Sequence, residues 1–486
     1  MSQILVVMLF VLWVAAVPTD RLPRGPIDPG RLIVFFGGFV LLVAVPAAAA
    51  RYLVRRVAVD RVWPTLRQFH WLTETIKFAI TGWFAVGLFA TSAWIRAVGN
   101  TLGPLGEGPY TLPGMLLGPL PPLMAWLGLW WAQYPMERLA REQSMLPMLQ
   151  SDLPIHAPPT LLRFFSNNLR MQVLSTAVPL LLIALLRDAS ALGLSLTRLA
   201  DPRSPAVGTT LSFVAAAIVL LIAPEPLRHV LHTQKLPQSG LRWRLDAICR
   251  AARTRYREVL LWNTGYAVGN AAVMGVLPRI RYVLLSDLLL ESMTDRQIEA
   301  VFAHELGHVV YRHTIWFVVL VMSLAILMSG GATAADWGMN HYRMDGWVRT
   351  TLETMVAIGS IVGAVLIFGF VSRRFERQAD VYAARVMQGV ADGAEPGQRD
   401  AKATAVGHEG AELISSALAR AATINNMPLE ARSFRHGSLG MRIRYLRALA
   451  RDPARIAEFD RSMTMLSGTI LLAAVLSAVV AWWMLS

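Results

Sequence analysis

The stretch "TDRQIEAVFAHELGHVVYRHT", residues 294–314, decides the fold, because it joins a water-compatible helix to an apolar run. Thr294 and Gln297 have the spacing of a capping box, which predicts a helix starting near Asp295 and running through the HELGH segment. That helix is expected to lead straight into the apolar residues after 313. On an α-helix, positions four apart share one face, so His304 and His308 can direct both imidazoles at one ion. Glu305 is rotated by about 100° from His304. A carboxylate there can take a proton from water without itself binding the metal.

Outward from this stretch, the chain is apolar. Of its 486 residues 55% are hydrophobic and 16% charged, a composition that points to a membrane protein rather than a soluble one of this size. The net charge of +14 is carried almost wholly by arginine, lysine occurring only at Lys77, Lys235 and Lys402. Those arginines are spread through short loops beside apolar runs, which argues for membrane orientation and against a nucleic-acid partner. A single cysteine, Cys249, excludes an intramolecular disulfide and any cysteine-rich metal site.

Crossing a bilayer takes about 20 apolar residues. Nine segments come close, at 3–18, 32–50, 78–95, 115–134, 171–186, 209–223, 314–332, 353–371 and 464–485. The first is read as a retained span, since no small-residue cleavage site follows it. Arg51, Arg55, Arg56, Arg61, Arg67 and Lys77 crowd the second loop, which places it in the cytoplasm, and counting crossings from there puts 224–313 and 372–463 on the same side.

Within 224–313, "REVLLW" (257–262), "NAAVMGV" (270–276) and "RYVLLSDLLL" (281–290) are short and β-prone, so a small sheet should precede the HELGH helix. Residues 389–410 are small and polar and read as a mobile loop. Catalytic zinc usually takes three protein ligands and leaves a fourth position open. A histidine ten residues after the first, preceded by glycine, is not present, for those positions hold Thr314 and Tyr311. In "RRFERQADVYAARV" (373–386), Glu376 leaves the eighth span on the same side as HELGH and can be the third ligand. Asp380, four residues on, can accept the second N–H of a ligating histidine. An acidic pair at that spacing taken alone is usually a solvated helix face; HELGH and the matched topology turn the reading toward a ligand and its support.

Together these residues resemble the membrane zinc metallopeptidases that include the type I CAAX prenyl proteases and HtpX, with HELGH followed by a downstream ExxxD helix. "GNAAVMG" (269–275) is similar to the family's Asn-Ala strand, and "SFRHGSLGMRIRYL" (433–446) to its late His-Pro-Ser segment with an arginine six residues on. Gly437 stands where the family has proline. The resemblance covers about 224–450 and implies one zinc per chain held by His304, His308 and Glu376, with Asp380 behind them. It further implies Glu305, His436 and Arg442 as catalytic groups, and Asn270 and Ala271 as substrate-binding positions on an edge strand.

The fold expected is mainly α, a polytopic membrane protein of about nine helices with a cytoplasmic zinc-metallopeptidase domain and a small β-sheet. Its parts are a transmembrane region 1–223, the first part of the peptidase domain 224–313, two helices 314–371, the second part 372–463, and a last helix 464–486. The expected activity is that of a zinc endopeptidase of a bacterial-type inner membrane. It would act at the cytoplasmic face on protein or peptide substrates that are membrane-associated or misfolded, with the lipid bilayer as its other partner. A membrane scaffold or transporter that retains a peptidase-like domain is the competing reading, and it predicts no turnover.

Overall fold

The computed structural model describes residues 2–17, 22–56, 62–106, 111–150, 156–197, 201, 204–344, 346–391, 405–425, 427–431 and 433–485. They divide into two units: residues 1–233 with 262–266, and residues 234–261 with 267–486. The protein is mainly α. Among the described residues seven helices are long and apolar enough to cross a membrane: Pro29–Arg56, Gln68–Thr91, Leu112–Gln143, Leu161–Thr197, His313–His341, Gly346–Val390 and Ala454–Trp483.

The expected count of nine is therefore reduced. The first segment folds as Ser2–Ala16, whose 15 residues fall short of a full crossing. The sixth is Val207–Ile222, bent by 60° into Pro224–Val230, and it makes an eighth span only if that pair is taken as one. Pro224 explains the bend, since its ring has no N–H to continue the helix.

In the first unit the buried centre is aromatic. Trp13, Trp126, Trp130, Phe35 and Phe84 pack together there. Residues 57–61, which include Arg61, and the greater part of the expected 389–410 loop, residues 392–404, lie outside the described residues.

The second unit holds the sheet and the HELGH segment. Strands β1 (Thr233–Lys235), β2 (Glu258–Trp262), β3 (Ala271–Met274) and β4 (Tyr282–Ser286) lie in the order β1-β2-β4-β3. β3 is an edge strand, antiparallel to β4, with Ala271 opposite Leu285. Every residue of β4 is buried, as a continuous apolar run in a central strand predicts. The strand read over 281–290 stops at Ser286, whose side chain caps a short helix, Asp287–Ser292.

Helix Asp295–Val310 begins at the predicted capping box, with Thr294 and Gln297 bonding each other's backbone N–H. It does not run on into the membrane helix. Tyr311 closes it, Arg312 takes the left-handed conformation at φ 54°, and a new helix starts at His313. That helix, His313–His341, and the 46-residue helix Gly346–Ala391 form an apolar hairpin, which returns Glu376 to the end where HELGH lies. Ile358, Ile361, Val365 and Leu366 stay exposed on it, as lipid-facing side chains do.

Small residues let helix Asp295–Val310 close on Gly346–Ala391. A Cβ placed on Gly307 would lie 3.0 Å from the Cα of Ala379 and 3.3 Å from its Cβ. Ala300, Ala303, Ala383 and Ala384 continue the seam. Gly307→Ala would gain about 1 kcal/mol of helix propensity and lose a similar amount to crowding, a near balance. Gly307→Leu has no such offset: it should cost about 1–3 kcal/mol and lower the melting temperature in detergent. An unchanged melting temperature for Gly307→Leu would show that the seam is not tight.

Candidate metal centre

The HELGH helix and the long helix bring three ligand atoms together. His304 Nε2 lies 3.3 Å from His308 Nε2. Glu376 supplies Oε2 at 3.6 Å from His304 Nε2 and Oε1 at 3.8 Å from His308 Nε2. All three ligand atoms fall within 4.8 Å of one another. Two donors each about 2.1 Å from a tetrahedral zinc lie about 3.4 Å apart, so the donor set and its spacing fit that ion. Two ring lone pairs and a carboxylate facing one another repel, and a cation between them removes the penalty.

Behind the ligand atoms sits a buried charge relay. His304 Nδ1 is 2.9 Å from Asp380 Oδ1, which leaves Nε2 free to face the site. Asp380, 1% exposed, accepts two hydrogen bonds from Arg442, from Nε at 2.7 Å and Nη2 at 2.6 Å. Arg442 Nη1 also lies 3.3 Å from Glu376 Oε2. The guanidinium thus departs from the expected place of a direct donor to substrate. It is 7% exposed, and its fork is spent on the two carboxylates. On the same helix, Leu439–Arg451, Arg444 and Arg447 face outward to Glu430 and Glu412.

Electrostatics follow from this packing. Burial disfavours charge on His304, but the Asp380 carboxylate outweighs it and raises the imidazole pKa. His308 has no such carboxylate, and burial holds its pKa well below the usual value. Burial pushes the Glu305 carboxyl up to about 7, against the pull of His304 and with the push of Glu376. Burial works against the charge on Arg442 too, but Asp380 raises its pKa above the ordinary value, so it stays charged.

His436 is half exposed, with Nδ1 2.8 Å from Glu376 Oε1. Its loop is closed by Ser433 and Gly437, each donating its N–H to the other's carbonyl at 3.0 Å. Gly437 has φ +73°. Proline could neither adopt that angle nor donate that bond, so the loop as closed here requires the glycine. Asn270 precedes β3 and is exposed; its N–H donates to Ser286 Oγ and its carbonyl accepts from Ser286 N. Ala271 is buried at the start of the strand.

Two contacts escaped the sequence reading. His313 has Nδ1 2.8 Å from His308 Nδ1. Its Nε2 lies 2.9 Å from Gln378 Oε1. The signal available was the turn at 311–312, which brings His313 back beneath the helix it follows; nothing in the local pattern announces a left-handed arginine.

With the geometry in view, comparison with known proteins adds a family. Residues 238–416 match the model of Peptidase family M48. Over that segment the chain is similar to peptidase family M48. The matched segment includes Asn270, Ala271, His304, Glu305, His308, Glu376 and Asp380, and ends before His436 and Arg442. Over 185 residues the chain is 25% identical to a CAAX prenyl protease 1 homologue of Arabidopsis thaliana, covering 36% of this chain and 43% of that protein. Over 146 residues it is 31% identical to protease HtpX of Legionella pneumophila, covering 29% of this chain and 51% of that protein. The chain thus spans about two fifths to half the length of the curated relatives it matches. The crystal structure of S. mikatae Ste24p aligns with 87% of this chain and 100% of that one, at 15% identity and a TM-score of 0.48.

Removing one partner of a buried ion pair leaves an uncompensated charge and typically costs about 3–5 kcal/mol. Arg442→Met should lose stability on that scale, Arg442→Lys less, and Arg442→Met with Asp380→Asn less than the two single losses added. Denaturant unfolding of the wild type, the three single variants Arg442→Met, Arg442→Lys and Asp380→Asn, and the double variant in detergent measures it. Additive losses would mean that Arg442 and Asp380 are not coupled.

Proposed function

We propose that the protein is a membrane-embedded zinc endopeptidase that cleaves membrane-associated or misfolded proteins at the cytoplasmic face. The observation that carries this is the convergence of His304, His308 and Glu376 on one point, with Glu305 on the adjoining helix face. The M48 match and the protease names of its relatives agree with it. On this reading one zinc per chain is held by His304, His308 and Glu376. Residues 224–313 and 372–463 form the peptidase region, and 1–223, 314–371 and 464–486 are its membrane parts.

Bound zinc supplies Lewis acidity, which acidifies water and polarises a carbonyl oxygen. The rest is done by the chain. An extended peptide adds its backbone to the edge strand β3, passing the exposed side chain of Asn270 and the start of the strand at Ala271, and so brings a peptide bond to the mouth of the site. Glu305 takes the proton of the attacking water and passes it to the leaving amine; a carboxyl whose pKa lies near 7 both accepts and releases protons at neutral pH. His436, half exposed above Glu376 with Nδ1 toward that carboxylate, is the side chain placed to face the substrate carbonyl. Asp380 holds the ring of His304, and Arg442 holds Asp380 and Glu376, so we assign Arg442 a positioning role.

The cytoplasmic placement rests on charge. The arginines of 51–67 mark an inner loop, and counting the bent helix pair as one crossing brings 234–310 to the same side. HELGH precedes the membrane helix His313–His341 instead of lying inside it, which favours cleavage at the bilayer boundary over cleavage within lipid.

Glu305→Gln should keep one zinc per chain and lose casein or membrane-protein cleavage by about 100-fold or more. Elemental analysis and a cleavage assay on the purified pair test this. Cleavage at the wild-type rate by Glu305→Gln would reject the mechanism, and no zinc in either protein would reject the assignment.

A further inference from the structure

The two histidines of the site are backed differently. His304 has a carboxylate at Nδ1, whereas the Nδ1 of His308 meets another imidazole, that of His313, at 2.8 Å. Two facing ring nitrogens share one proton, and which of them carries it decides whether His308 can bind a metal through Nε2. A neutral imidazole has one N–H, so a proton on Nδ1 leaves Nε2 bare, and a proton on Nε2 blocks it.

The choice is made one residue further out. His313 Nε2 lies 2.9 Å from Gln378 Oε1, an atom that only accepts. His313 must therefore carry its proton on Nε2 and present a bare Nδ1 to His308. His308 then donates from Nδ1, and its Nε2 lone pair is left facing His304 and Glu376. The relay is rigidly built. His313 is 1% exposed and stacked on Phe375 at 4.2 Å between ring centroids and 5° between planes. Gln378 projects from the same helix as Glu376, two residues on. The left-handed Arg312 produces the approach, since five residues along an unbroken helix would put His313 on another face.

We propose that Gln378, acting through His313, fixes the tautomer of His308 so that its Nε2 is free to bind metal. The pair are positioning residues, and the proposal rests on His308 being a ligand as proposed above. The arrangement has a physical advantage: Glu305, Glu376 and Asp380 already place three carboxyl groups in this small volume, and an amide orients His308 without adding a fourth.

The test uses the full-length protein in detergent. Zinc affinity is measured by chelator competition for the wild type and for His313→Phe, Gln378→Leu and Gln378→Glu. Zinc-free protein labelled with 15N-histidine is examined by solid-state NMR, with His308→Gln identifying the His308 signals. Loss of an outer partner of a ligating histidine typically weakens metal binding about 10- to 100-fold, and that loss is expected for His313→Phe and Gln378→Leu. Gln378→Glu presents an acceptor in either orientation of its end and should bind close to the wild-type value. The NMR should show His308 protonated at Nδ1 and bare at Nε2. Wild-type affinity in Gln378→Leu, or a proton on His308 Nε2, would overturn the proposal while leaving the zinc site intact. If the wild type itself binds no zinc, the site assignment falls and this inference with it. If His313→Phe does not fold, the two Gln378 variants and the NMR decide.

Discussion

The carboxylate of Asp380 is the constraint on which the site depends. It is buried on the long helix Gly346–Ala391 and held by two hydrogen bonds from Arg442 on helix Leu439–Arg451. It also reaches His304 on helix Asp295–Val310. One anion thus ties three segments that lie far apart in sequence. Such an arrangement is tolerated because every charge has its partner: desolvating Asp380 alone would cost several kcal/mol, and Arg442 together with the His304 ring offsets it. With Asp380 fixed, Glu376 one turn back on the same helix is fixed too, and the metal-ligand geometry follows from the rise of that helix.

The second constraint is steric. The imidazoles and the Glu376 carboxylate meet only because Gly307 lets its helix approach Ala379 closely. The glycine inside HELGH is thus a packing residue, and the histidines on either side of it inherit their placement from the seam. The apolar hairpin 313–391 adds the direction: its two limbs run out and back, so Glu376 meets HELGH at the hairpin's open end.

Much of this was legible in the sequence, and for identifiable reasons. His304, Glu305 and His308 lie within one turn or so of a helix, where spacing alone sets relative direction, and the capping box at Thr294 marks where that helix begins. Glu376 and Asp380 were reachable by topology, because two consecutive spans return the chain to its starting side. What stayed hidden depends on tertiary choice. The capacity of 3–18 to cross a membrane was overstated, and the bend of 209–223 at Pro224 went unseen, since composition does not register where a helix stops or bends. The break at Arg312 is a left-handed conformation that no local residue preference signals. Arg442 was visible as a residue but not as the partner of Asp380, because burial of one arginine among the exposed Arg444 and Arg447 is decided by which helix face meets the core.

The central claim is that His304, His308 and Glu376 hold a single zinc. X-ray absorption at the zinc edge on the purified full-length protein tests it most directly. The account predicts one zinc per chain with a first shell of nitrogen and oxygen donors at about 2.0–2.2 Å, two imidazoles among them, and no sulfur. A sulfur shell, an all-oxygen shell, or an unchanged spectrum in His308→Gln would place any bound metal elsewhere and contradict it.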